Sequence, residues 1–261
     1  MTTSETATPE TGHILRHWNA RQYLDYYYGH PAVPDDEAAM FEFVAGGLRE
    51  IGARFATGLD LGCGPVLHHA AQAVRWVDRL DMADFEPSNL EEIARWVRGD
   101  PDAFDWSVFI AGARGVLDAE RGTGGTLAER EAAMRERIRV LPCNLRDPLP
   151  LGRPAQYPLV TSYYCAEWVV PTTAGWHQTM HHVASLVERG GWLFLAGVHA
   201  TEYCMINGQR AQCARVTGDD VRGVLGEVGF DPASVRLDVT PGLRPGESGI
   251  QGTFMAYARR A

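Results

Sequence analysis

The segment Leu59-Asp60-Leu61-Gly62-Cys63-Gly64-Pro65 constrains the fold of this chain more than any other. A short apolar strand ends there in a glycine loop, a helical stretch follows from Leu67 to Val77, and a second strand runs from Arg79 to Phe85. Strand, crossover helix and strand in that order make the unit of a parallel, doubly wound α/β sheet. Gly62 and Gly64 carry no side chains at the turn, so a cofactor can approach the backbone and its N–H groups can meet an anion. A tight turn that needs glycine for geometry alone is the plainer reading of the same loop. A dinucleotide-binding loop has a third glycine three positions on; Leu67 stands there, which argues against NAD. Asp84 follows Gly64 by 20 residues and ends the second strand, where a carboxylate can accept from both ribose hydroxyls of an adenosine. A surface Asp at a strand end is the alternative. Loop and carboxylate together point to a nucleoside cofactor and leave the reaction open.

Alternation resumes later in the chain. Strands are expected near Ile138–Asn144, Leu159–Cys165 and Trp192–Val198, the last after a Gly190-Gly191 turn. A helix over Val221–Val228 leads to strands Val235–Thr240 and Gly252–Ala258, joined by Pro241 to Gly249. Two late strands after one helix suggest an antiparallel hairpin that completes a mostly parallel, seven-stranded sheet. Upstream of the glycine loop, Ile14–Tyr28 is aromatic enough to be a docked helix with four tyrosines at its end, and Asp35-Asp36-Glu37 opens a helical stretch to about Phe55. Residues 100–137 interrupt the alternation and read as an insertion, and residues 1–13 read as a disordered tail. The expected organisation is one domain over 14–261 with a helical lid over 14–55.

Composition excludes several functions. The net charge is −9 and the basic residues are scattered, which disfavours nucleic acid as a partner. All 24 basic residues are Arg, so no lysine Schiff base can form. Five cysteines without a CxxC pair give neither a disulfide framework nor a thiolate zinc site. The polar N-terminus and the lack of any long apolar run imply a soluble, cytoplasmic protein that spans no membrane.

Several segments are familiar: Tyr23-Leu24 with Tyr27-Tyr28, the glycine loop, Asp84-Phe85 with Asn89-Leu90, Asp102-Ala103-Phe104-Asp105-Trp106-Ser107, Gly190-Gly191, and Tyr203 with Met205-Ile206. From about Gln22 to Arg259 the chain resembles the nicotinamide, phenylethanolamine and indolethylamine N-methyltransferases. The resemblance implies a Rossmann-like class I methyltransferase fold whose last strand is antiparallel, S-adenosylmethionine as methyl donor, and a small-molecule acceptor. It implies that Tyr23 and Tyr28 close over the methionyl end of the cofactor, Gly62 and Gly64 turn beneath it, and Asp84 and Asn89 bind the ribose. Asn144 stands where the family has an Asp that contacts adenine, and Phe85, Leu145 and Tyr163 complete the expected cofactor set. Val66 and His68 replace a Thr and a Tyr near that site. Gly197 replaces an aspartate that faces the acceptor in the nicotinamide and indolethylamine enzymes, which puts nicotinamide in doubt as substrate. Thr201 matches a serine, and Cys213 replaces a second one. With Tyr164 and Trp168 these make the expected acceptor-binding set.

An amine acceptor must lose a proton before its lone pair can attack a methyl group. Glu167, just beyond strand four, and His199, just beyond Gly197, are the candidate bases; a surface helix residue and a satisfied histidine are the plainer readings. His177 and His181 stand four apart on an expected helix but lack the Glu of a zincin motif, and no metal is expected. N-methylation of a small amine by a monomer or weak homodimer is the leading reading. Transfer to oxygen, sulfur or carbon, or cofactor binding without catalysis, are the alternatives.

Overall fold

The computed structural model describes residues 18–118, 125–206, 209–242 and 249–261. The expected tail, the first residues of the lid, most of the glycine-rich link in the insertion and most of the connection between the last two strands lie outside the described residues.

Alternating strands and helices build a seven-stranded sheet with the order β3-β2-β1-β4-β5-β9-β8. Its strands are β1 Phe55–Leu61, β2 Val77–Asp84, β3 Ile138–Pro142, β4 Tyr157–Tyr163, β5 Val187–Val198, β8 Arg236–Pro241 and β9 Gly252–Arg259. β1 pairs in parallel with β2 and β4, β2 with β3, and β4 with β5. β9 runs antiparallel between β5 and β8, as expected from the paired late strands. The central strands are buried on both faces, so they read as apolar runs without alternation.

Helices cover both faces. On one lie α1 Ala20–Tyr28, α2 Asp35–Ile51, α3 His68–Ala73, α4 Pro87–Arg98, α5 Ser107–Asp118 and α6 Leu127–Arg137, around a core that includes Phe41, Leu67, Ile93, Trp106 and Phe194. On the other lie α7 Ala166–Val169, α8 Thr173–Ser185 and α9 Gly218–Glu227, packed through Trp176, Val183, Val221 and Phe254. The insertion is α5 and α6. α6 opens with a capping box of Thr126 and Glu129 and buries Met134. The Phe-Asp-Trp-Ser run starts α5: Asp105 accepts from the Ser107 amide at 2.9 Å, and Trp106 is buried beneath α1.

Helix and strand ends depart from expectation where capping decides. α2 stops at Ile51 because Gly52 adopts φ +63 and returns its N–H to Leu48 O, so Phe55 begins β1 instead of ending the helix. A two-stranded hairpin was not expected: β6 Tyr203–Ile206 pairs with β7 Gln209–Gln212. The intervening dipeptide Asn207-Gly208 is the sequence signal for a two-residue hairpin.

Candidate active site

The glycine loop joins β1 to α3 at the carboxyl edge of the sheet, where α/β sites lie. Gly62 has φ +67, and a Cβ there would collide with Cys165 Sγ. Gly64 has φ +60, and a Cβ built on it meets nothing within 4 Å, so the loop presents bare backbone to open space. The Gly62 and Cys63 amides bond to Ala83 O at 2.7 and 3.1 Å, which ties the loop to β2.

Asp84 ends β2 buried. Its Oδ2 accepts from the Gly64 amide at 2.8 Å, and its Oδ1 from the Glu86 amide at 2.8 Å and Asn89 Nδ2 at 3.0 Å. Burial raises its pKa against the pull of those donors. Asn89 Oδ1 in turn accepts from the Trp18 indole at 2.8 Å. The two residues expected at the ribose thus hold each other, and Trp18, absent from the expected set, covers them. Beside Asp84, the Phe85 ring is 55% exposed, an apolar face open to a planar partner. Leu145 is buried. Asn144 is committed to its own turn: its amide oxygen accepts from Arg146 N at 3.1 Å and its Nδ2 donates to Asp147 at 3.0 Å.

Helix α1 brings its tyrosines over this edge. Tyr23 and Tyr28 share a hydrogen bond, and burial pushes the Tyr23 phenol up to about 12. The Tyr28 ring lies 4.9 Å from His68 and 5.3 Å from Trp106, centroid to centroid. Tyr27 donates to Met205 O at 2.7 Å, which fastens α1 to β6. Below Tyr28 is a group that sequence reading did not assemble: Glu37 of α2 with His68 and His69 of α3. Glu37 Oε2 lies 3.1 Å from His68 Nε2 and 3.4 Å from His69 Nε2. Burial acts to raise the Glu37 pKa, but the two imidazoles outweigh it and hold the carboxyl well below the usual range. The Tyr163 ring packs edge-on against His69 at 4.8 Å.

Glu167 sits at the start of α7, fully buried. Its Oε1 accepts from the Val198 amide at 2.9 Å; its Oε2 has no hydrogen-bond partner among the described residues. Burial raises its pKa to about 7, against the Val198 amide and the nearby Trp168 indole. Gly197 explains how the carboxyl fits: a Cβ on Gly197 would come within 2.7 Å of Glu167 Oε1 and of the Phe254 ring. The carboxyl therefore occupies space that any side chain at 197 would enter. Tyr164, a few residues before Glu167, has φ +51 and a hydrogen bond with Thr253. A non-glycine residue in that region carries about 1–3 kcal/mol of strain. Trp168 is half-buried on α7.

The remaining expected residues have structural partners. The Thr201 hydroxyl donates to His199 O and accepts from the Gln251 amide, both at 2.9 Å, and Cys213 Sγ reaches Thr201 O at 3.3 Å. Together they hold the loop after β5. His199 makes a backbone bond to Gly252 O, and its ring lies against Gly252 without a hydrogen bond to any described residue. His177 and His181 do share one helix face, where both bond to Glu227, at 3.0 and 3.1 Å.

A doubly wound sheet in this strand order, a glycine loop at the end of β1 and a carboxylate at the end of β2 define the class: a Rossmann-like, S-adenosylmethionine-dependent methyltransferase. The residues fit that cofactor, since Gly64 offers open backbone, Asp84 and Asn89 hydrogen-bonding groups and Phe85 an exposed ring. Known proteins agree. The profile of the NNMT/PNMT/TEMT family matches residues 8–261, and the chain belongs to that family. It is 30% identical to phenylethanolamine N-methyltransferase of pig (Sus scrofa), with 94% of this chain and 89% of that one covered. It is 26% identical to human nicotinamide N-methyltransferase, with 83% of each covered. Among solved structures it is similar to the magnesium protoporphyrin IX methyltransferase of Synechocystis with bound SAM, at a TM-score of 0.59 and 14% identity, over 98% of this chain and all of that one. Among the described residues no helix is long and apolar enough to cross a membrane.

Proposed function

We propose that this enzyme methylates the nitrogen of a small, polar amine, with Glu167 as the base that takes the amine's proton. The observation that carries the reading is the Glu167 carboxyl itself: buried, one oxygen unpaired, near neutrality in pKa, and lodged against Gly197. A base poised near the working pH is the efficient one. When bound, S-adenosylmethionine supplies an activated methyl group, so the protein's work is alignment and removal of one proton. Gly62, Gly64, Asp84, Asn89, Phe85 and Leu145 hold the cofactor in this reading, and Tyr23 and Tyr28 cover it. A carboxylate has about four lone-pair sites, and Asp84 already uses three; a ribose diol takes the fourth and displaces one present donor. Tyr164 and Trp168 wall the acceptor, with the hairpin β6–β7 opposite. Thr201 and Cys213 position the loop and do not touch the acceptor, and His199 is the weaker candidate base.

The names of the relatives, phenylethanolamine and nicotinamide N-methyltransferases, support an amine acceptor. An arylethylamine or amino-acid-like amine fits the aromatic walls, and nicotinamide is a poor substrate because Gly197 leaves no aspartate to meet its amide. The chain acts as one catalytic unit in which α1 is the lid, while α2, with Phe41 and Val44 in the core, belongs to the body. The enzyme works in the cytoplasm as a monomer or weak dimer; its charge of −9 gives nucleic acid no footprint. The test is steady-state methylation of nicotinamide, arylethylamines and amino-acid-like amines by wild type and Glu167→Gln. Arylethylamine or amino-acid-like turnover is expected, with kcat lowered about 10²–10⁴-fold in the variant and wild-type activity rising with pH through about 7 as Glu167 ionises. Efficient nicotinamide turnover, or an unchanged kcat in Glu167→Gln, would refute the assignment.

A further inference from the structure

We propose that Glu37, His68 and His69 form a three-ligand site for one divalent transition-metal ion beneath the tyrosine lid. Each residue offers one ligand atom, and all three atoms lie within 4.8 Å of one another. The two contacts to Glu37 Oε2, 3.1 Å from His68 Nε2 and 3.4 Å from His69 Nε2, are close to ligand spacings around an ion. A tetrahedral ion with bonds of roughly 2.0–2.1 Å sets its ligand atoms roughly 3.3–3.4 Å apart.

Hydrogen bonding alone serves these groups badly. Two buried imidazoles converge on a single carboxylate oxygen, and His69 Nε2 has no hydrogen-bond partner among the described residues. A buried polar atom without a partner is destabilising, because it has given up water for nothing. One cation at the point of convergence satisfies both Nε2 atoms and the carboxylate together. The surroundings hold the rings in place: Trp106 stacks on His68 at 5.4 Å, Tyr28 lies 4.9 Å from it, and Tyr163 packs on His69.

Two imidazoles and one carboxylate select zinc, iron, cobalt or nickel over magnesium or calcium, which take oxygen ligands. Three protein ligands leave a fourth position for water or for a heteroatom of the acceptor. The site is separate from His177 and His181, each of which bonds to Glu227 through one ring nitrogen.

The experiment uses the full chain without an affinity tag, stripped by chelator and titrated with Co²⁺ by visible absorption and with Zn²⁺ by calorimetry. One equivalent is expected to bind, with the d–d bands of a four- or five-coordinate ion. His68→Ala, His69→Ala and Glu37→Gln each should weaken binding at least tenfold, since changing even a residue behind a ligand costs about 10–100-fold, while a His177→Ala/His181→Ala double variant binds as wild type. Glu37→Gln keeps an oxygen that can accept from His68, and circular dichroism of each metal-free variant establishes that the fold survives. Failure to bind one equivalent, binding that persists in Glu37→Gln and both histidine variants, or loss confined to the His177/His181 variant would overturn the site.

Discussion

Glu167 and Gly197 make one unit, although 30 residues separate them. The carboxyl is buried and its pKa is raised from 4.5 to about 7. A raised carboxyl pKa means that the folded state holds a proton the unfolded state has released. The protonated form therefore contributes stability below about pH 4.5, and that contribution is lost as pH rises through about 7. Glu167→Gln removes the titration, so its stability should gain on wild type across that window, by on the order of 3 kcal/mol at most. Urea unfolding of both proteins at pH 5 and pH 8 measures it; parallel curves would mean that the carboxyl ionises freely. Gly197→Asp should not restore a nicotinamide site. Its Cβ would press on Glu167 Oε1 and Phe254, and its carboxyl would lie beside another. We expect a loss of 1–3 kcal/mol from overpacking and more from charge, with no gain in nicotinamide turnover. A stable variant that methylates nicotinamide would show that the glycine is incidental.

At the scale of elements, the proposed lid rests on α1. It is nine residues long, buries only Ala20 and Leu24 outright, and leaves Tyr26 exposed. Its polar attachments include Tyr27 to Met205 O, Arg21 to Asp102 O and, just before the helix, Trp18 to Asn89, while Leu24 joins the core and Tyr28 packs on Trp106 and His68. The Trp18 bond ends on Asn89, proposed above to bind the ribose, and in that reading it links cofactor and lid. Amide exchange over residues 20–28 should slow when S-adenosylhomocysteine is added, because the tyrosines gain a surface to pack on. Equal exchange with and without ligand would make α1 a fixed part of the core. A helix ending at Tyr28 was legible from the crowding of its tyrosines. The hairpin β6–β7 on which α1 rests had one local signal, Asn207-Gly208, but its four-residue strands carry too little periodicity to stand out. The end of α2 was misplaced for a different reason: a single glycine in a left-handed cap overrules the helical pattern running past it.

Over the whole molecule, binding at the carboxyl edge should stabilise the sheet from β1 to β4 as a unit. S-adenosylhomocysteine at a hundred times its Kd should add about 2.7 kcal/mol, a shift of several degrees in Tm for a chain of this size. NAD should add nothing, because Leu67 stands where a dinucleotide loop needs glycine. Asp84→Ala should reduce the S-adenosylhomocysteine shift, through about 1–3 kcal/mol of lost ribose hydrogen bonds; a full shift in that variant would remove Asp84 from the cofactor site. The seven strands, the mostly parallel sheet and its closing antiparallel strand could be read from the chain, because hydrophobic runs and glycine turns are local and recur at the spacing of βαβ units; the strand order could not. The loop at Gly62 and Gly64 and its partner Asp84 were legible for the same reason, since a fixed spacing along one such unit brings them together. What only the tertiary structure decided is which distant side chains meet. Glu37 joins His68 and His69 because α2 packs against α3, Glu167 fits against Gly197 because α7 folds back on β5, and Trp18 reaches Asn89 across 71 residues. Contacts between elements depend on how whole faces pack, and no short window of sequence contains that information.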